Sequence, residues 1–323
     1  MPCHRRGCTL PSTPWIRPSQ AADREQRART ASPFRLSIAN SIWGQKGHKF
    51  LPAFLDTLAE NYGAGLRLLD FAGSPEPSRQ TINQWVSDQT AGKIPDLLGQ
   101  GSITPATRLV LANAIYFNAA WMVPFDKANT RDGAFHLLEG GQATVPMMSA
   151  THRFGYANGD GYQAVELPYS GGDTAMVILL PGAGELAAFE GSLDSSKLDA
   201  IVGSLQYTRV ALTMPRFAFR SEFELAETLK KMGMPLAFSE EADLSGMDGR
   251  RDLLIDQVYH QAFVAVDEAG TEAAAATAVV IAPTAAEPQP PIVVTADRPF
   301  LFLIRDIQTG AILFVGRVVN PTA

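Results

Sequence analysis

The five histidines of this 323-residue chain are His4, His48, His136, His152 and His260, and histidine is the side chain most often used to move protons or hold metals near neutral pH. No two of them stand at metal-ligand spacing. Cys3, His4 and Cys8 crowd one short stretch, but a closed zinc site needs a fourth ligand and none follows. Asp243, Asp248, Glu240 and Glu241 lack the spacing of a calcium loop. A nucleophile elbow, a phosphate loop and a dinucleotide fingerprint are all missing. His260 lies near Asp256, and a serine could complete a triad on paper. In its apolar strand context a hydrogen-bonded structural histidine is the simpler reading. The expectation is a protein that is not an enzyme and holds no metal and no cofactor.

One stretch is ambiguous between loop, helix and strand, as a chain needs if it must change partners. After the strand-like Ala262–Val266 comes an alanine-rich run through Glu268, Gly270, Thr271, Glu272, Ala273, Ala274, Ala275, Ala276 and Thr277 to Ile281. Alanine has the best helix propensity, so a helix is one reading, and a flexible linker is another. At period two the same residues place Thr271, Ala273, Ala275, Thr277, Val279 and Ile281 on one face. A strand of that kind presents small and β-branched groups, which suits entry into a crowded sheet. Ala282–Pro291 then carries Pro283, Pro288, Pro290 and Pro291, which predict an exposed loop.

The elements that would position this run can be read around it. Leu36–Trp43 and Leu66–Phe71 read as strands, and Phe50–Tyr62 as an amphipathic helix. Ser74 and Pro75 open a helix to about Thr90. Leu109–Phe117 is nearly all apolar, as expected of a strand buried on both faces. Strands at 162–169 and 174–180 precede a helical insert near 184–204. Ser221 and Glu224 form a capping-box pattern predicting a helix over Ser221–Met232. Strands at 299–306 and 311–319 close a hairpin around Asp306–Gly310. Mixed order without a βαβ rhythm indicates an α+β fold.

Composition is that of a globular protein, with 46% hydrophobic and 19% charged residues, and no apolar run long enough to span a membrane. The net charge of −6, without a basic run, argues against nucleic acid. Residues 1–35 differ from the rest, with seven Arg against two acids and both cysteines of the chain. They read as a disordered lead-in without the apolar core of a secretory signal. A disulfide framework is excluded.

The stretch Glu268–Thr277 closely resembles the hinge of the serpins, the serine protease inhibitor family. The resemblance continues in Ala296–Asp297–Arg298–Pro299–Phe300–Leu301–Phe302, in Asn113–Ala114–Ile115–Tyr116–Phe117 with Trp121 and Pro124–Phe125, and in Val145–Pro146–Met147–Met148. It extends to Glu166–Leu167–Pro168–Tyr169 and to Ile82–Asn83–Gln84–Trp85–Val86 with Gly92–Lys93–Ile94. These landmarks follow the family's order over residues 36–323. Residues 1–35 do not resemble the family's N-terminal helices, so the chain is expected to be an N-terminally truncated, prokaryotic-type member. Ala269 stands where a charged residue is usual, and Asn118–Ala119 where Lys–Gly is common.

The resemblance implies an α+β serpin-like fold with a large central mixed sheet and a reactive loop at about 268–291. It implies a suicide inhibitor: a serine protease cleaves the loop, forms a covalent acyl complex, and is trapped as the hinge inserts into the sheet. Asn113, Trp121 and His260 match the residues that control opening of the sheet, though the family's shutter serine has no counterpart. Counting thirteen residues past Thr271 places the reactive bond at Thr284–Ala285. No Lys or Arg stands between Asp267 and Arg298, which points to elastase-like or subtilisin-like targets. The chain is expected to be a monomer that binds neither membrane nor nucleic acid. The resemblance suggests an extracellular protein, although no localisation can be read from the residues. A non-inhibitory serpin-fold protein, or a non-functional fragment, is the alternative.

Overall fold

The computed structural model describes residues 35–62, 65–271 and 290–322. The expectations for residues 1–34 and for Glu272–Thr277, Thr284 and Ala285 lie outside the described residues. Two sheets carry the fold. The first is formed by β1 (Arg35–Gln45), β2 (Arg67–Leu69), β3 (Leu109–Ala120), β9 (Phe217–Glu224), β10 (Tyr259–Val266) and β11 (Gly270–Thr271), in the order β2-β1-β3-β11-β10-β9. The second contains β4 (Arg131–His136), β5 (Gln142–Gly159), β6 (Tyr162–Pro168), β7 (Thr174–Pro181), β8 (Gln206–Pro215), β12 (Ile292–Thr295), β13 (Phe300–Asp306) and β14 (Ile312–Val318). Its order is β12-β8-β5-β6-β7-β13-β14, with β4 beside β5.

The helices are α1 (Pro52–Tyr62), α2 (Pro75–Gln89), α3 (Leu186–Gly191), α4 (Ser195–Gly203), α5 (Ala226–Lys231) and α6 (Ser245–Asp248). Helix α2 starts where Pro75 sits in the first turn, as a proline tolerates a missing donor there. Its buried Ile82 and Val86 close an apolar cluster with Trp43, Val110, Ala112 and Ala114, so the helix lies across one face of the first sheet. Asn83 fixes the following segment like a backbone pair: its Oδ1 accepts from Leu98 N at 2.8 Å and its Nδ2 donates to Leu98 O at 3.0 Å. Every residue of β7 is buried, because Met176, Ile178 and Leu180 face the core between the sheets while Val177 and Leu179 face α3 and α4.

Two expectations fail here. Strand β3 is not buried on both faces. Val110, Ala112 and Ala114 are covered under α2, whereas Leu111, Asn113 and Ile115 on the opposite face stay half-buried, because among the described residues no helix lies over them. The capping-box helix over Ser221–Met232 is also wrong. Ser221–Glu224 belongs to β9, which pairs residue for residue with β10 from Phe217↔Val266 to Glu224↔Tyr259. Phe217 and Phe219 of that strand pack on Phe302, so eight ladder pairs and an aromatic cluster override a local cap. Only Ala226–Lys231 remains helical.

Candidate functional site

Strands β3 and β10 meet in parallel only along their lower halves, Tyr259–Phe263 against Ala112–Tyr116. Above Phe117 they part. Into that gap the chain turns back from β10, and Gly270–Thr271 pairs antiparallel with Ala119–Ala120 on one side while Thr271 pairs with Val266 on the other. The turn is made by Asp267: its Oδ1 accepts from Ala269 N at 2.8 Å and Gly270 N at 3.2 Å, and its own N–H donates to Gly270 O at 2.9 Å. Gly270 is required, since a Cβ there would lie 2.1 Å from Ala119 O.

Each residue entering the gap is clamped. The Trp121 indole donates to Asp267 O at 2.9 Å, and its backbone N–H donates to Ala269 O at 2.9 Å. Trp121 stacks on Tyr169 with ring centroids 4.6 Å apart. The Tyr169 hydroxyl bonds to Thr271 Oγ1 at 2.7 Å, and both residues are wholly buried. Burial pushes the Tyr169 phenol well above its ordinary range, so it remains a neutral partner.

Glu268, next to Asp267 in the turn, is 1% exposed. Its Oε1 accepts from Arg216 Nε at 2.7 Å, from Arg216 Nη2, and from Thr130 Oγ1 at 2.5 Å, while Oε2 has no partner among the described residues. Burial alone would raise this carboxyl, but the Arg216 and Thr130 bonds outweigh it and hold it below the usual carboxylate range.

Lower in the seam a single row crosses three strands. Asn40, Asn113 and His260 stand opposite one another in register on β1, β3 and β10. Asn113 Nδ2 donates to Asn40 Oδ1, and His260 Nδ1 meets Asn113 Oδ1. This chain calls for the imidazole tautomer with its proton on Nδ1. Burial lowers the His260 pKa and keeps the ring neutral. Asp256 is not its partner, so the row is a polar tie between strands and not a proton relay to a nucleophile. No metal-binding group of His, Cys, Asp and Glu occurs among the described residues, and no described helix is long and apolar enough to cross a membrane.

The structure therefore places Glu268, Gly270, Thr271 and Trp121 together at the head of the seam, and Asn113 with His260 in its middle. Arg216, Thr130 and Asn40 were not singled out from sequence, and Tyr169 entered only as the end of the landmark Glu166–Tyr169. Asn40, polar within the apolar strand Leu36–Trp43, was the available signal.

The arrangement has counterparts in known proteins. The family model described as Serpin (serine protease inhibitor) matches residues 19–321. An uncharacterized serpin-like protein of Thermococcus kodakarensis is 39% identical over 291 residues, covering 90% of this chain and 67% of that one. The leukocyte elastase inhibitor of Homo sapiens is 42% identical over 296 residues, covering 88% of this chain and 78% of that one. Among solved structures, Arabidopsis AtSerpin1 in its native stressed conformation superposes with a TM-score of 0.78 at 30% identity, over 91% of this chain and 78% of that one. With a match across nearly its whole length, this chain belongs to the serpin family.

Proposed function

We propose that the protein is a suicide inhibitor of serine proteases, and that it acts by inserting its cleaved loop into the first sheet. The observation that carries this reading is the seam: Gly270–Thr271 is already paired on both sides at the top of two strands that lie in direct parallel contact below. In the proposed reaction the protease serine oxygen attacks the carbonyl of Thr284. The bond to Ala285 N breaks, the amine leaves protonated, and Thr284 stays esterified to the protease. The hinge then enters the seam before water can hydrolyse that ester.

Continuing the observed register gives the path. Thr271 faces Ala119 and Val266, so Ala273 would face Phe117 and Val264, Ala275 would face Ile115 and Ala262, and Thr277 would face Asn113 and His260. Small inward groups fit the first steps. From Ala275 on, β3 and β10 must move from one strand spacing apart to two, roughly 5 to 10 Å, because Ile115 and Ala262 already form a ladder pair. That breaks the His260–Asn113 bond, and a threonine hydroxyl can donate to one partner and accept from the other. One parallel ladder is exchanged for two antiparallel ones, a net gain in hydrogen bonding.

The loop between Asp267 and Arg298 offers only small and apolar side chains around the proposed bond, which favours elastase-like or subtilisin-like proteases. The test is incubation with pancreatic elastase or subtilisin, gel separation of covalent complex from cleaved product, and mass spectrometry of the released C-terminal peptide. A complex stable to denaturant with a peptide beginning at Ala285 is expected. Cleavage without any complex would overturn inhibition, and a peptide starting before Thr277 or after Pro288 would overturn the bond assignment.

A further inference from the structure

The seam divides the first sheet into two halves, β2-β1-β3 and β10-β9. At its base, where Gly44 pairs with Leu109 and Tyr259 with Ala112, the halves are tied together by the chain that connects β9 to β10. That connection is fastened to its own half. Leu225 N donates to Val258 O at 2.9 Å, Ala226 N to Gln257 Oε1 at 3.1 Å, and Ile255 N to Ala237 O at 2.9 Å. Its helix α6 is fastened to the opposite half. Between β1 and α1, Leu51 N donates to Met247 O at 2.8 Å, and His48 Nε2 lies 3.0 Å from Asp248 Oδ2. Both bonds reach across the base of the seam.

The side-chain bond is suited to hold a single geometry. The Asp248 side chain is fully shielded, and that of His48 is 8% exposed. Asp248 Oδ1 accepts from Arg250 N at 2.8 Å. Among the described residues Oδ2 has His48 as its hydrogen-bond donor, with the exposed Arg250 guanidinium 3.6 Å away. The imidazole packs edge-to-face on Phe50, with ring centroids 4.9 Å apart. A buried charged pair adds less stability than apolar packing of the same volume, but it fails abruptly. A small separation leaves the carboxylate shielded from water and without its donor. Apolar contacts slide, whereas this pair is either made or broken.

We infer that His48 and Asp248 form a latch on the base of the seam, closed while a strand enters from the head and released only in the last step of insertion. This inference rests on the strand-insertion reading. A strand that enters between β3 and β10 widens the sheet by one strand spacing, roughly 5 Å. Carried down to Leu109, the same displacement draws α6 away from the turn after β1, beyond hydrogen-bond reach. The latch divides insertion into two stages: an entry resisted by the β3–β10 ladder, and a completion resisted by one buried pair. In the uncleaved chain it keeps the base of the sheet shut.

The test compares the full chain before and after its loop is cut by subtilisin. Thermal unfolding of wild type, H48L, D248N and H48L/D248N measures the coupling of the pair in each form. Before cleavage H48L should melt roughly 2–4 °C lower than wild type, because it strands a shielded carboxylate, and adding D248N should restore most of that loss. H48Q, which keeps a donor, should lose less. After cleavage the coupling should vanish. Insertion itself is followed by spin labels at the exposed Leu68 of β2 and Glu222 of β9, with Cys3 and Cys8 replaced by serine. Their separation should grow by roughly 5 Å on cleavage. Equal coupling in both forms of a widened sheet would show that the pair merely fastens α6, and would overturn the latch while insertion stands. Absence of coupling before cleavage would overturn it too. A sheet that does not widen loses latch and insertion together. If the sheet widens and the coupling vanishes but no protease is trapped, the inhibitory reading is lost and the latch stands.

Discussion

The head and the middle of the seam are held by different means. At the head, the residues between Asp267 and Thr271 are gripped by an indole, a stacked tyrosine, a buried ion pair and ladder bonds on both sides. In the middle, β3 and β10 are joined by a parallel ladder and one histidine–asparagine bond, beside side chains only half-buried. In the proposed mechanism the first region keeps a strand in place and the second lets one through. A sheet that is to admit a strand needs a fixed starting point and a yielding continuation.

Removing the clamp should have the largest effect. Arg216→Ala leaves the buried Glu268 carboxylate with Thr130 as its remaining side-chain donor. Arg216 is partly exposed, so the expected loss is about 2–3 kcal/mol, toward the low end for a broken buried pair. Thermal or urea unfolding measures it, and an unchanged midpoint would mean that the clamp does not hold the head. Thr271→Val is next. It keeps the shape but strips the Tyr169 hydroxyl of its partner, for about 1–2 kcal/mol by the same measurement. Thr271→Arg, by contrast, should shift the gel ratio from covalent complex to cleaved product, because a charge would enter a fully buried site.

In the middle, smaller effects are expected. Thr277→Val should raise the cleaved fraction severalfold, since a methyl group cannot reconnect Asn113 to His260; an unaltered ratio would contradict the proposed register. The mildest effect is on pH. The His260 pKa is depressed by burial, so between its folded value and the unfolded value near 6.5 the unfolded chain binds more protons. Stability therefore falls as pH drops through about 6.5, and the loss is complete below the folded value. His260→Gln should flatten the change in melting temperature between pH 7 and pH 5 relative to wild type, and parallel curves would show that His260 does not contribute.

Strands with strong apolar character were legible in the sequence: Leu109–Phe117 and the closing hairpin lie where periodicity placed them. What escaped was set by partners distant in the chain. Ser221 carries a helix-start signal, yet β10 supplies it with a ladder. Arg216 follows a proline at a strand end and looks like any surface cation, and only the return of Glu268 beside it, 52 residues on, gives it a role. The inward Thr271 was visible because alternation is local. Asn40 was not, because its meaning depends on two other strands. His48 and Asp248 stand 200 residues apart, and the fold alone makes them neighbours.

The turn at Asp267–Gly270 has a kinetic consequence. Val266 and Thr271 already form the first pair of a hairpin whose second arm would be the hinge. The proposed insertion would then be a zippering reaction of low contact order, in which each new pair forms next to the last and no distant loop has to be closed. Isolated hairpins form in about 1–10 μs, whereas enzyme turnovers commonly run at about 1–1000 per second. If the proposed mechanism holds, the search that slows most strand additions is finished before the protease arrives, and the contest with deacylation is left to how fast β3 and β10 separate.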